Sequence, residues 1–351
     1  MGQNVRSIIR SLFSHYLRSF PLMAQATTIN EGQAAGRDGK SAMINVNGEW
    51  MTEDALNAKM KVLADARPIT WNNAILLTIL HAIAIAGAVT MFSWDGLWLS
   101  LILLFTISPV GVTFCYHRML SHKAFKVPKW LEYTAALIGG LSAQGPIRSW
   151  VAAHRIHHRY SDMPGDLHSP RGKGFWFSHM VHLFYDDPRM HDEKIWSKYT
   201  PDLNNQKFYL FMDKAWWLVA MSILPVLYYF GGWTYVMWGG PIRVILMLHL
   251  TWFVNSATHA WGYRTYPTRD LSRNNWWVGI LAAGEGWHNN HHAQANSARH
   301  GQRWYEIDVT WYLIWTLEKL GLAWDVKRPR PYVQATSERE DELALGQGVS
   351  Q

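Results

Sequence analysis

The chain has 351 residues, of which 49% are apolar, 14% aromatic and only 17% charged. A disordered polypeptide needs low hydrophobicity and high charge, so that class is excluded; a single cysteine, Cys115, excludes an intramolecular disulfide framework and any thiolate-based zinc or iron–sulfur site. The net charge of +7 fits nucleic acid, an anionic membrane face or an acidic protein equally, so the distribution of apolar residues has to decide.

In chain order, Met1–Ala24 is basic and free of acids, the composition of an organelle presequence or of a helix lying in a membrane interface. Its Met-Gly start has Arg6 where a myristoylation signal has Ser or Thr. Gln25–Asn47 reads as flexible. Four stretches without Asp, Glu, Lys or Arg follow: Asn72–Phe92, Leu97–Tyr116, Ala215–Pro241 and Val244–Gly262. About 20 apolar residues at 1.5 Å rise cross a ~30 Å hydrocarbon core. Trp71, Trp94, Trp98, Trp216, Trp217, Trp238 and Trp261 cluster at the ends, where amphipathic rings prefer the headgroup layer. The mean hydropathy of −0.12 is low only because a long polar loop and two polar tails dilute these spans.

Only Ser93–Gly96 separates the first two spans, which predicts a hairpin; the Gly231-Gly232 and Gly239-Gly240 region makes a second hairpin of the other two. The intervening His117–Lys214 loop holds 14 Lys/Arg against 9 Asp/Glu, which places it, and with it both termini, in the cytoplasm. Tyr133–Ile147 and Trp276–Trp287 are apolar but short and broken by Gly and Pro, and read as segments dipping into the interface. Val309–Val326 reads as a helix lying on the membrane, and the chain beyond Pro331 as a solvated tail.

Nine of the 17 histidines fall into four groups. These are His117-Arg-Met-Leu-Ser-His122, His154-Arg-Ile-His157-His158, His259 four residues after Asn255, and His288-Asn-Asn-His291-His292. On an α-helix, positions i+3 and i+4 lie about −60° and +40° from the first residue, so all three imidazoles of an H-x-x-H-H box share a face. Asn255 and His259 are likewise about 40° apart. The first box spans about 140°, so its two histidines converge only if the helix ends or bends between them. At this histidine frequency on the order of 0.04 H-x-x-H-H boxes arise by chance, and the chain has two. The scattered His15, His81, His168, His179, His182, His191, His249 and His300 are read as ordinary core or surface residues. All four groups fall on the same predicted face of the membrane.

Eight or nine neutral nitrogens exceed the four ligands of a zinc ion, so two ions are indicated. Imidazole suits Zn, Cu, Fe and Ni alike, which leaves the metal open at this point. Asp162, Asp166 and Glu285 are candidates to orient histidine N–H groups.

The series H-x-x-x-x-H, H-x-x-H-H, H-x-x-H-H between paired spans resembles the membrane fatty-acid desaturases. The strings His117–His122, His154–Asp162 (HRIHHRYSD), Gly174–Met180 (GFWFSHM), Asn255–Gly262 (NSATHAWG) and Gly284–Ala293 (GEGWHNNHHA) are similar to the Δ9, stearoyl-CoA desaturase-like branch, over about residues 68 to 325. The resemblance implies a non-haem di-iron, O2-dependent enzyme inserting a cis double bond into a saturated acyl chain with two electrons from outside. It carries the metal-ligand role onto His117, His122, His154, His157, His158, His259, His288, His291 and His292, and gives Asn255 a part through a metal-bound water. No His-Pro-Gly-Gly cytochrome b5 signature is present, so the electron donor is expected to be a separate ferredoxin- or cytochrome b5-type protein.

An unactivated alkyl C–H bond is beyond acid–base catalysis, which favours iron over zinc, and no G-x-G-x-x-G fingerprint offers a nucleotide site. Arg148, Arg155, Arg159, Arg171 and Lys173 form a candidate basic surface for an acidic carrier, acyl-carrier phosphates or the anionic leaflet. Trp150, Trp176, Trp252 and Trp261, each near a histidine box, are candidates to line an acyl tunnel.

The expected fold is an all-α integral membrane protein: four transmembrane helices in two hairpins beneath a helical cytoplasmic cap with a His-rich di-metal site. Its parts are an N-terminal cytoplasmic segment (1–67), a membrane desaturase domain (68–330) and a polar tail (331–351). The expected partners are an acyl-CoA or acyl-lipid substrate, O2 and membrane lipid, without nucleic acid. A bacterial inner membrane is favoured over an endoplasmic reticulum or organelle membrane. Similar boxes also serve di-iron hydroxylases of lipids or alkanes. A histidine-rich metal transporter, the competitor from another class, places its ligands at mid-bilayer within spans.

Overall fold

A computed structural model describes residues 43–46 and 49–330; the expectations for 1–24, for 25–42 and for the tail beyond 330 fall outside the described residues. Two compact units divide at Ala55/Leu56. The first contains an antiparallel hairpin, β1 (Met43–Val46) with β2 (Glu49–Thr52), in the register Met43↔Thr52 and Val46↔Glu49. Met43–Val46, read from sequence as flexible, is therefore paired.

The described part of the second unit is helical. After α1 (Glu53–Asp65) come α2 (Trp71–Thr90) and α3 (Trp94–Ile107), which continues without interruption into a π-helix, Ser108–Ser121. Ile75, Leu76, Ile79, Ile83, Ile85 and Val89 of α2 are all exposed, the mark of a helix solvated by lipid rather than water. Three helical runs are long and apolar enough to cross a membrane: Trp71–Thr90, Trp94–Ser121 and Lys207–Ala260. The last comprises α9 (Lys207–Met221), α10 (Ile223–Met237), a short π-helical turn Trp238–Ile242 and α11 (Arg243–Ala260). Its backbone leaves helical geometry at Gly231, Gly232 and Gly240; Gly232 has φ 59° and ψ −152°, a region essentially restricted to glycine.

The second predicted span ends at Tyr116, whereas the helix runs on through the first histidine box as a π-helix. The π-helix packs on α4 (Lys129–Gly140) so closely that a Cβ on Gly111 would stand 2.4 Å from the Gly139 backbone. Tyr133–Ile147, expected as one dipping segment, is thus mostly α4, a turn and the start of α5 (Ile147–Tyr160). Phe114, Tyr116, Met119, Ile147, Val151, Tyr209, Met212 and Ile314 form the buried core that joins the π-helix, α5, α9 and the helix Val309–Lys319. Short helices α6 (Gly174–His179), α7 (Pro188–His191) and α8 (Glu193–Tyr199) lead to α9. Beyond α11 come α12 (Trp276–Leu281), α13 (His288–Ala293) and α14 (Val309–Lys319). Asp308 caps α14 by accepting from the Trp311 amide, and the helix stops seven residues short of the expected Val326.

Candidate metal centre

The π-helix explains how the first box converges. Its hydrogen bonds run i→i+5, which sets residue i+5 above residue i, and the His122 amide donates to the His117 carbonyl at 3.2 Å. The helix does end between the two histidines, at Ser121 with His122 as its C-cap, and it also changes its winding before it ends, which sequence reasoning did not foresee. On α5, α-helical spacing puts His154, His157 and His158 on neighbouring faces, and α13 does the same for His288, His291 and His292. His259 stands at the end of α11, one turn beyond Asn255.

The nine imidazoles gather into two groups, within each of which one ligand atom per residue lies within 4.8 Å of the others. The first group is His117, His122, His154, His158 and His291; the second is His157, His259, His288 and His292. In the first, Nε2 atoms approach at 3.1 Å (His117–His291), 3.2 Å (His117–His122), 2.6 Å (His122–His154) and 2.9 Å (His158–His291). Two nitrogens each ~2.1 Å from one ion at right angles lie about 3 Å apart. In the second group, Nε2 of His157, His259, His288 and His292 is buried without any hydrogen-bond partner. A buried donor or acceptor left unmade costs roughly 1–3 kcal/mol, and a cation between the lone pairs removes that cost. The donor set therefore fits two ions bound through neutral imidazole nitrogen.

Carboxylates hold the other face of several rings. His117 Nδ1 lies 2.7 Å from Glu285, His259 Nδ1 2.7 Å from Asp162, His292 Nδ1 2.7 Å from Asp270 and His157 Nδ1 3.1 Å from Asp166. Such contacts fix the tautomer that leaves Nε2 bare for a metal. Burial opposes ionisation of all four acids, but the neighbouring imidazoles, joined at Glu285 by Arg118, hold them below the usual carboxylate range. Burial and the adjacent rings push His154, His158, His288 and His291 well down, and burial foremost also lowers His292. Neutral imidazole is the form a metal requires.

Several participants carry no sequence spacing. Asp270 lies in the 261–275 connection, which folds back through the Tyr263↔Asn274 and Asn274↔Trp287 bridges. His300, read from sequence as ordinary, is buried with Nδ1 3.2 Å from Glu285 and its ring centroid 4.3 Å from that of His291. His168, likewise set aside, stacks on His157 at 4.5 Å. Asn255 is half-buried on α11 outside both groups; its carbonyl accepts from the Ser178 hydroxyl at 2.9 Å.

Two further expectations are corrected. Trp150 does stack on His154, with its Nε1 donating to Gln144, which in turn donates to Thr251. Trp176 and Trp261, however, are 68% and 55% exposed, and Trp252 packs against His81, His179 and His249 instead. The proposed basic surface is largely consumed by internal pairs: Arg148 is buried against Asp213 and Glu193, the half-buried Arg155 pairs with Asp202, and Lys173 pairs with Asp65. Arg171 is buried, which leaves Arg159 as the exposed member of the five.

A protein-family model described as fatty acid desaturase matches residues 92–327. Among curated proteins, the sn-2 palmitoyl-lipid 9-desaturase of Nostoc sp. (strain 36) is 46% identical over 73% of this chain and 89% of its own length. The icosanoyl-CoA 5-desaturase of Limnanthes douglasii is 46% identical, covering 74% of each chain. The sn-1 stearoyl-lipid 9-desaturase of Synechocystis sp. is 42% identical over 74% of this chain and 80% of its own. With the family model matching two thirds of its length and relatives at 42–46% identity, the chain belongs to the fatty acid desaturase family.

Proposed function

We propose that this desaturase acts at the Δ9 position of acyl groups on membrane glycerolipids, with one iron ion in each histidine group. The observation that carries the reading is the convergence of nine imidazoles from four separate stretches of chain, with the Nε2 atoms of His157, His259, His288 and His292 bare. His117, His122, His154, His158 and His291 hold one ion in this reading. His157, His259, His288 and His292 hold the other, and Asn255, one turn from His259, contributes through a bound water. The lipid-linked substrate and the Δ9 position are drawn from the Nostoc and Synechocystis relatives.

Iron supplies the O2-dependent oxidation of an unactivated alkyl chain that no side chain can perform alone. A –CH2–CH2– segment, O2, two electrons and two protons yield a cis alkene and two waters; the electrons come from a separate ferredoxin- or cytochrome b5-type donor. The protein orients and dries the site. Glu285, Asp162, Asp166 and Asp270 lock the rings, and Trp150 covers His154 with an apolar face.

Four crossings in two hairpins fit this site best. Lys207–Ala260 at 1.5 Å per residue extends about 80 Å, more than twice a ~30 Å hydrocarbon core, and its breaks at Gly231–Gly232 and Gly240 divide it into two passes. All nine histidines then face the cytoplasm from a bacterial inner membrane, with residues 68–330 as the membrane domain between polar ends.

The test is expression in a desaturase-deficient host followed by gas chromatography of the glycerolipid acyl chains. New cis-Δ9 monoenes are the expected product. Alcohols in place of alkenes would make the protein a hydroxylase, and a new bond at another carbon would overturn the Δ9 assignment alone.

A further inference from the structure

The two histidine groups sit in unequal electrostatic surroundings. In the second group, three of four imidazoles give Nδ1 to an aspartate: His157 to Asp166, His259 to Asp162 and His292 to Asp270. The remaining partners of these acids are hydroxyls, backbone amides and one imidazole. Asp162 accepts from Ser169 and the Leu271 amide, Asp166 from the Asp162 and His168 amides with the His168 ring at 4.0 Å, and Asp270 from Thr268 and Ser272. No guanidinium or ammonium pairs with their carboxylates among the described residues. In the first group, one of five imidazoles has a carboxylate, His117 with Glu285. That carboxylate is shared with the fully buried Arg118 at 3.1 Å and with His300 at 3.2 Å, and Arg118 also binds Asp308 at 2.9 Å.

Both differences act in one direction. A metal ion that loses an electron gains positive charge, which three aspartates without a hydrogen-bonded cation, Arg264 acting on Asp270 and Asp162 only through space, stabilise more than five imidazoles beside an arginine do. Carboxylate-bonded imidazoles are also more basic donors, which again favours the higher oxidation state. We propose that Asp162, Asp166 and Asp270 make the two positions unequal in redox potential. The ion held by His157, His259, His288 and His292 is oxidised first, and on reduction the other position takes up its electron first. This inference rests on the two-iron reading. It gives the half-oxidised centre a defined location rather than an even distribution.

The experiment is an anaerobic stepwise oxidation of the full-length, iron-loaded protein in lipid nanodiscs, followed by Mössbauer and electron paramagnetic resonance spectroscopy. At half-oxidation, molecules with one ferric and one ferrous ion should clearly exceed the statistical half. Asp270→Asn should raise the first potential and shrink the equilibrium constant for the mixed state by about tenfold, which is about 59 mV for one electron. Glu285→Gln should move the second potential and widen the gap. Asp162→Asn repeats the first arm if Asp270→Asn fails to fold. Two irons that oxidise together in the wild-type protein, or aspartate and glutamate variants that shift the gap in the same sense, would overturn the proposal while leaving the iron assignment standing. A protein that loads zinc alone would overturn both.

Discussion

Buried histidines do two kinds of work in this molecule. In the metal centre, Nε2 of His157, His259, His288 and His292 is buried and unpartnered. Elsewhere, His81, His249 and His179 form a chain across α2, α11 and α6 in which every ring nitrogen has a partner. His81 Nδ1 meets the Leu77 carbonyl at 2.6 Å, and its Nε2 meets His249 Nε2 at 3.1 Å. His249 Nδ1 meets His179 Nε2 at 2.9 Å, and His179 Nδ1 meets the Ser256 hydroxyl at 2.9 Å. Because the Leu77 carbonyl can only accept, His81 Nδ1 carries a proton, and because Ser256 donates to the Trp252 carbonyl at 2.9 Å, its oxygen is left to accept at the other end of the chain. Burial, with the His249 ring beside it, pushes His179 down to about 4. Two features separate the uses: in the metal centre four or five rings converge and the Nε2 atoms of the second group are open, whereas in the chain the rings meet one after another and each nitrogen has its own partner.

The comparison breaks most visibly at the ligands. His157→Ala or His291→Ala should reduce desaturation below detection and lower bound iron, while membrane insertion is unchanged. His249→Gln should keep both irons and activity within several-fold of wild type. Metal analysis and fatty-acid profiling of the purified variants check this, and a His249 variant as inactive as the other two would erase the distinction.

A smaller effect is expected one layer out. Asp162→Asn keeps the shape of the side chain but removes the charge beside His259, and also weakens what holds Ser169 and the Leu271 amide. Loss of such an orienting carboxylate costs about 10- to 100-fold in metal affinity. Competition with a chelator should show that loss for one of the two ions. An equal loss at both would mean that the aspartate supports the fold of the centre as a whole.

How much of this was legible in the sequence depends on how local the cause was. H-x-x-H-H boxes are readable because helical periodicity alone brings their rings to one side. The first box was only half readable, since nothing in His117–His122 announces that Ser108–Ser121 winds as a π-helix. Asp270 and His300 were invisible because tertiary routes deliver them. Bridges to Asn274 turn Asp270 toward His292, and Asp308 accepts from the His300 and Gly301 amides to bring His300 against Glu285. Trp176 and Trp261 misled for the converse reason: nearness in sequence to a box says nothing about which side of the backbone a ring takes. The counted basic residues misled similarly, because a formal charge of +7 does not reveal that Arg148 and Arg155 are already paired.

The smallest expected effect tests the structural side of the comparison. His179→Leu deletes the end ring of the chain and strands His249 Nδ1, while Ser256 keeps its bond to the Trp252 carbonyl at 2.9 Å and Ser178 keeps its bond to Asn255. One unmade buried hydrogen bond costs about 1–3 kcal/mol, so the variant should unfold at lower denaturant concentration and still load two irons. His179→Gln, which can restore a donor, should recover part of that stability. If His179→Leu instead loses the ion beside His259 with little change in stability, the chain is not a tie but a support reaching the metal through Ser256 and the turn of α11 that carries His259. The boundary between the two uses of histidine would then lie further from the metal than the open nitrogens indicate.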